Sequence, residues 1–523
     1  MNFLIVSRDA RISYDAPNCI YLKIDRWNDF SFVTTFYMSA CDLNGNTSDI
    51  GNVKIGFRGQ TEDTSTYTKL PESFEQLPSE FFSLGQDVDF YKKIAALPAD
   101  IGKFILTGLR DIVAAPEVIP QIDNERVFSV SLLREVSLSL IKGQFQRVLA
   151  GRPALTDFKF KFASPGTVTE GPVDLSFKVV AESTPSSNIH AIIGRNGVGK
   201  TRILNGMIDA ITMKRGRARF MNTEGWESSE IAEDFFSGLV SVSFSAFDPF
   251  NPPREQSDPA KGTCYFYVGL KDPHNAERHL TVSELQRDCA KSLIKCFLHQ
   301  GKTSRWLHAI NKLGSDGNFT SMKLDQLNSL FQELRATRPE QPDSETFIDE
   351  FFSKIKSVLD GMSSGHAIVL LTITRLVATV DEKTLVLLDE PESHLHPPLL
   401  SALVRALADL LHEQNGVGII ATHSPVVLQE IPRSCVWKVH RVGMSLSSTR
   451  PEIETFGENV GLLTSEVFSL EVARSGFHAL LAQSVAQGKD YDSTLREYSS
   501  QLGFEGRAIL KALIASRDRE QAK

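Results

Sequence analysis

The segment Gly194-Arg195-Asn196-Gly197-Val198-Gly199-Lys200-Thr201 fits the pattern G-x-x-x-x-G-K-[ST]. Glycines at these spacings let the backbone curl so that successive N–H groups point at phosphate oxygens, at the positive end of the helix that follows. Lys200 supplies a point charge to the β- and γ-phosphates of a nucleotide, and the Thr201 hydroxyl is a candidate ligand for Mg2+. A second group closes the apolar run Leu385-Val-Leu-Leu388, where Asp389 and Glu390 follow directly. Two carboxylates at the end of a buried parallel strand stand where α/β sheets bind ligands. Asp389 is the candidate for the Mg2+ hydration shell, and Glu390 for the general base that polarises an attacking water. Ile419-Ile-Ala-Thr422-His423 repeats the form, an apolar strand ending in polar residues. His423 there is a candidate sensor of the γ-phosphate or the water, the plainer reading being a structural histidine. Finally, Ser363-Ser364-Gly365-His366 leads into the apolar run AIVLLTITRLV, so either serine can cap a helix whose N-terminus is an anion site. The same residues also describe an ordinary capped core helix.

These groups need a frame that brings strand ends together. Ile189–Ile193 reads as a strand before the glycine loop and Arg202–Met213 as a helix after it, with strand-like runs at Leu239–Phe247, Thr384–Leu388 and Gly418–Ala421. Residues 249–262 look like an irregular, proline-rich connection, and Val282–Leu359 is mainly helical, broken at Pro339 and Pro342. Upstream, Tyr21–Ile24, Phe32–Tyr37 and Val53–Phe57 read as strands, with a turn over Asp42–Asn46. Ser129–Leu149 reads as a helix, and Phe158-Lys-Phe-Lys-Phe162 alternates strictly, as a half-buried strand does.

In this order the four motifs resemble the ABC ATPases, specifically the soluble branch with the DNA-repair and chromosome-organising enzymes. The resemblance implies an α/β head with a parallel-sheet nucleotide core, ATP and Mg2+ as cofactors, and a head-to-tail homodimer. Ser363, Ser364 and Gly365 would then bind the γ-phosphate held by the opposite protomer. Glu390-Pro-Glu-Ser-His-Leu-His396-Pro397 is similar to the form this motif takes in compact ATPases of bacterial defence. His394 and His396 suggest either a metal pair or, in keeping with that form, a dimer contact. The layout, with Pro451–Gly461 and Leu463–Phe468, is most like the ATPase subunit of Septu-type and retron-associated anti-phage systems. Partners implied by that resemblance are a separate HNH nuclease and, in retron forms, a reverse transcriptase with its DNA–RNA product or another nucleic acid.

The chain departs from the pattern it resembles at three places. The signature ends in His366 where many of that family have Gln or Glu, Ser364 replaces a glycine, and no glutamine lies between Thr201 and Gln256. Ser245 or Asp248, in FSAFDPF, is the candidate for the missing glutamine's metal-and-water role. This departure bears on hydrolysis rate more than on ATP binding.

The expected organisation is a mixed β/α region over 1–150, an ATPase lobe with the phosphate loop over 151–270 and a mainly helical insertion over 271–360. A lobe with the signature, the Asp-Glu pair and the histidine follows over 361–445, then a helical appendix over 446–523. Apolar content of 41% and charged content of 23% fit globular domains, and a formal charge of −8 argues against a surface coated for non-specific nucleic-acid binding. The basic run Lys214–Arg219 can touch nucleic-acid phosphates or simply be solvated. Six cysteines without a C-x-x-C pair indicate reduced thiols, and no run is long enough for a secretory core or a membrane span. The expectation is a cytoplasmic ATPase regulating a partner nuclease in phage defence. A DNA-repair clamp acting on DNA directly, or an ATP-locked scaffold, is the alternative.

Overall fold

The computed structural model describes the chain except for residues 11, 13–17, 26–31, 43–44, 135, 137, 139–140, 152–154, 167–170, 214–216, 226, 233–234, 246–249, 259–261, 273–274, 339–341, 343, 444, 473–475 and 522–523. It divides into two compact units, Met1–Thr156 and Asp157–Lys523.

The first unit is built on a six-stranded sheet, in the order Ser73–Phe74, Asn2–Val6, Cys19–Ile24, Thr35–Cys41, Thr47–Phe57 and Phe81–Gly85. The strand expected over Phe32–Tyr37 forms instead at Thr35–Cys41, where it pairs with both neighbours. The turn over Asp42–Asn46 includes residues 43–44, outside the described set. Its ends are joined by the Asn46 amide donating to Asp42 Oδ1 at 2.8 Å. The single helix expected over Ser129–Leu149 does not form. Among the described residues that stretch holds short helical turns at Phe128–Leu132, Ile141–Phe145 and Gln146–Leu149. Serines that compete for backbone hydrogen bonds, and Gly143, weaken a continuous helix there.

The second unit centres on a seven-stranded sheet. In chain order its strands are β1 (Ile189–Ile193), β2 (Gly238–Ser243), β3 (Cys264–Gly269), β4 (Thr384–Asp389), β5 (Val417–Thr422), β6 (Val436–Val442) and β7 (Ser445–Thr449). They lie in the order β3-β2-β4-β5-β1-β6-β7, parallel throughout except for the edge strand β7. A parallel sheet is covered on both faces, so its strands are apolar on both sides. In β4, Val386 and Leu388 enter one core while Leu385 and Leu387 enter the other.

One face carries α1 (Lys200–Thr212) and a four-stranded sheet that includes Phe158–Ser164 and Val173–Val179. The alternation read there holds: Phe158, Phe160 and Phe162 are buried and Lys159 is exposed. The opposite face carries the helices α2 (Val282–Phe297), α3 (Gln300–Leu313), α4 (Gly317–Ser321), α5 (Gln326–Thr337), α6 (Glu345–Asp360), α7 (Ser364–Thr379) and α8 (Pro397–Glu413). After β6 the chain first adds β7 to the sheet, at the start of the stretch read as an appendix. The helices Val460–Val472, Gly476–Ala486, Tyr491–Glu497 and Phe504–Gln521 follow. Among the described residues no helix is long and apolar enough to cross a membrane. The parallel register has one decisive consequence. The carboxyl ends of β4, β5 and β1, neighbours in the sheet, come out on one edge.

Candidate functional site

The glycine loop leaves the end of β1 and turns into α1. Gly197 and Gly199 have φ of 79° and 105°, in the left-handed region that glycine enters without strain, and a Cβ at either would meet nothing within 4 Å. Gly194 is required for a different reason: a Cβ there would lie 2.4 Å from the Val439 carbonyl oxygen of β6. Gly199 caps α1 without a side chain, so the amides at the helix start face outward with no capping acceptor from that residue. Lys200 opens the helix with its side chain only 3% exposed. Its Nζ donates to the carbonyls of Gly194 (3.1 Å) and Arg195 (3.2 Å) and stands 3.2 Å from Glu390 Oε1. Thr201 follows in the first turn of α1. Arg195, Asn196 and Val198 line an open cleft of about 730 Å³ together with Gly197, His423 and Arg441.

Asp389 is the last residue of β4 and is buried. Glu390 leaves the strand with φ 45° and ψ 57°, a left-handed conformation unusual for a residue with a Cβ, while its amide donates to Ala421 O at 2.8 Å. That bond fixes the turn against β5 and aims the carboxylate at the loop. His423 Nδ1 lies 3.5 Å from Glu390 Oε2 and 3.2 Å from Glu392 Oε1. His423, 3.5 Å away, holds the Glu390 carboxyl below its usual range against partial burial, with Lys200 helping. The same contact raises the His423 imidazole above its usual value, Glu392 adding to it. Glu392 itself is almost fully buried. Its Oε1 accepts from Thr422 Oγ1 (2.6 Å), the His423 amide (2.6 Å) and the Ser424 amide (3.1 Å), clamping the end of β5. Sequence reasoning placed Glu392 in its motif without giving it this role. Its spacing to Thr422 carries no signal.

Lys200, Asp389, Glu390 and His423 are therefore brought to one sheet edge, whereas among the described residues no hydrogen bond or ion pair joins Ser363, Ser364 or Gly365 to the phosphate loop of their own chain. Ser363 occupies the cap position of α7, yet its hydroxyl bonds His366 Nδ1 at 2.6 Å instead of a helix amide. Gly365 packs so closely on the following loop that a Cβ would fall 2.6 Å from His394 O. His396 Nε2 lies 3.0 Å from Asp316 Oδ2, and His366 Nε2 lies 3.3 Å from Asp316 Oδ1. Asp316, about fifty residues from its histidine in the chain, was invisible to motif reading.

Of the substitutes for the missing glutamine, Asp248 lies outside the described residues, and Ser245 follows the end of β2. Gln256 spends its amide on the carbonyls of Gly262 and Thr263. Lys214–Gly216 lie outside the described residues, and Arg219 of that basic run pairs with Glu230 at 3.2 Å. A second, half-open pocket of about 330 Å³ adjoins the loop at Val198 and Gly199. Its lining includes Phe162, Arg202, Asn205 and Asp209.

Over 520 residues, 99% of each chain, the sequence is 50% identical to protein ea59 of Escherichia phage lambda. The chain belongs to the ea59 family. Within this ea59 relative, residues 278–429 match the family described as "AAA domain, putative AbiEii toxin, Type IV TA system". The match takes in the signature, Asp389, Glu390 and His423 and stops short of the phosphate loop, which the geometry adds. The chain thus carries an ATP-binding domain of the ABC/AAA-like ATPase kind. An ATP-binding cassette of an ABC transporter in its ADP conformation aligns over 61% of the chain and 99% of its own, at 16% identity and TM-score 0.29. The SMC head domain from Thermotoga maritima aligns over 57% and 100%, at 12% identity and TM-score 0.27.

Proposed function

We propose that this protein hydrolyses ATP in a head-to-tail homodimer and uses the cycle to control a partner nuclease in the contest between phage and host. The reading is carried by one observation: Lys200, Glu390 and His423 stand 3.2 to 3.5 Å apart in sequence at the ends of three strands or their continuations. The open space over Gly197 and Gly199, with the outward amides of α1, fits a triphosphate. The pocket beside Asn205 and Asp209 fits its nucleoside. Lys200 holds the γ-phosphate, and Glu390 takes a proton from the water that attacks the phosphorus as ADP leaves. His423 orients that water or the γ-phosphate. Thr201 and Asp389 would hold a Mg2+ ion, whose charge shields the phosphates.

The partner surface for the γ-phosphate is Ser363–Gly365 of a second copy. The partner nuclease proposed is a separately encoded HNH enzyme, as in Septu-type systems, with a reverse transcriptase and its DNA–RNA product in retron-like settings. The phage origin of the lambda relative, and the toxin named in the matched family, support placing the cycle in phage–host conflict. A nucleotide-locked scaffold is the second reading, favoured by the local engagement of Gln256. Steady-state phosphate release separates the two.

Sharing of the site is tested by mixing inactive parents. Ser363→Arg blocks the signature and Lys200→Ala the loop, so each homodimer is dead. One composite site of the mixed dimer joins an intact loop to an intact signature. Partial recovery of phosphate release on mixing is expected. Normal turnover by Ser363→Arg alone reduces residues 362–366 to the start of a core helix.

A further inference from the structure

At the signature end lies a series of polar contacts that the hydrolytic chemistry leaves without a role: Ser363 to His366, His366 to Asp316, Asp316 to His396. We infer that Asp316 and His366 are positioning residues that set the hydrogen-bond direction of the Ser363 hydroxyl, and so decide whether this surface can grip a phosphate. The inference rests on the reading above in one respect, that Ser363 meets the γ-phosphate held by a partner protomer.

The argument is one of proton counting. A carboxylate only accepts hydrogen bonds, so the His366 Nε2 facing Asp316 carries a proton. If that is the only proton on the ring, Nδ1 is a lone pair, and the Ser363 hydroxyl 2.6 Å away must donate to it. The hydroxyl then has no hydrogen left and turns lone pairs outward, toward phosphate oxygens that are themselves acceptors. With a second proton on the ring, Nδ1–H donates to Ser363 instead, and the hydroxyl is released to donate to phosphate.

The surroundings hold the arrangement still. Asp316 Oδ1 accepts the amides of Asn318 (2.9 Å) and Phe319 (3.1 Å) as the cap of α4. Burial would raise its carboxyl, but the Phe319 amide and His366 hold it below the usual range. The Phe319 ring packs 5.4 Å from the His366 ring. Among the described residues the charged or titratable groups facing His366 are Asp316 and, 6.4 Å ring to ring, His396. His396 also bonds Asp316, so it competes for the same carboxylate. It belongs to the loop that follows Glu390, which ties the signature surface to the catalytic turn of the same chain.

The test uses full-length protein with Glu390→Gln, which retains ATP, and measures ATP-induced dimerisation by analytical ultracentrifugation from about pH 5.5 to about pH 8.5, where histidine changes charge. Dimer affinity should fall about tenfold as pH rises, the worth of one hydrogen bond to a charged group. Adding His366→Gln should abolish the pH dependence while keeping the tighter association. Adding Asp316→Asn, which preserves the cap of α4 but whose amide no longer requires a proton on His366 Nε2, should weaken the dependence. The ATP affinity of the monomer should be the same in all three. A dimer that forms with a flat pH profile, or a His366→Gln profile matching the parent, overturns the inference. Absence of any ATP-induced dimer overturns the shared-site reading itself, which is a distinguishable result.

Discussion

Two clusters in this chain join a histidine to carboxylates, and they are made from different materials. At the sheet edge, His423 is 41% exposed and meets Glu390 and Glu392, with Lys200 on the far side of Glu390. Every member sits at the end of a strand or the start of a helix that follows one, and charges of both signs balance across a cleft. At the signature end, His366 is buried and its carboxylate is the cap of a five-residue helix. No lysine or arginine takes part in the contacts described there. In the proposed cycle the first cluster meets the nucleotide. The second orients a hydroxyl. Position in the fold accounts for the difference, because a parallel sheet gathers strand ends into one open line whereas helix ends meet wherever packing brings them.

The contrast breaks most completely if Lys200 is dispensable. Lys200→Ala removes the buried cation from the loop and strands Glu390, at a cost of about 2–5 kcal/mol, or roughly thirty- to several-thousand-fold in ATP affinity. Calorimetry on the folded variant reads this directly. Glu390→Gln should leave binding intact and lower phosphate release by about 10²–10⁴-fold. It should also change the response of stability to pH. Glu390 has a depressed value, so its contribution is present above the ordinary carboxylate range and fades as pH falls through that lowered value. His423 has a raised value, so its contribution is full below 6.5 and fades as pH rises through the raised value. The pair is strongest between those limits, and Glu390→Gln should flatten melting temperature against pH on both sides.

Smaller effects sharpen the comparison. Glu392→Gln keeps the shape of the clamp on Thr422, His423 and Ser424 but removes its charge, which for hydrogen bonds to charged acceptors is worth about 1.5–3 kcal/mol. A drop in melting temperature of about 2–4 °C is expected, with turnover reduced about tenfold through the displaced histidine. Gly365→Ala tests the other cluster. Its methyl would press on a backbone carbonyl that cannot swing aside, costing about 1–3 kcal/mol in urea denaturation, with ATP affinity of the monomer unchanged.

The same difference explains what could be read from the sequence. The phosphate loop was legible because left-handed backbone demands glycine at 197 and 199, and because the residue after them is a lysine. Asp389, Glu390 and His423 were legible because a strand buried on both faces reads as an apolar run and then stops. Asp316 was not, since its partners lie far along the chain and nothing in spacing joins a helix cap to a signature. Nor was β7, whose SLSST lies on a sheet edge and turns only Leu446 toward the core. The helix expected over Ser129–Leu149 failed for the opposite reason: apolar spacing was present, but serines and a glycine interrupt the backbone that would carry it.

The left-handed turn at Glu390 has an evolutionary consequence. A side chain there costs on the order of 1–2 kcal/mol that glycine would not. The fold is therefore carrying its proposed base at a loss, and Glu390→Gly would relieve the backbone while ending turnover. On the proposed reading, the need for hydrolysis is what would keep the glutamate in place. In any lineage of this family where ATP binding alone suffices, this position is the first that should drift, toward glycine or asparagine, without any weakening of the sheet beneath it.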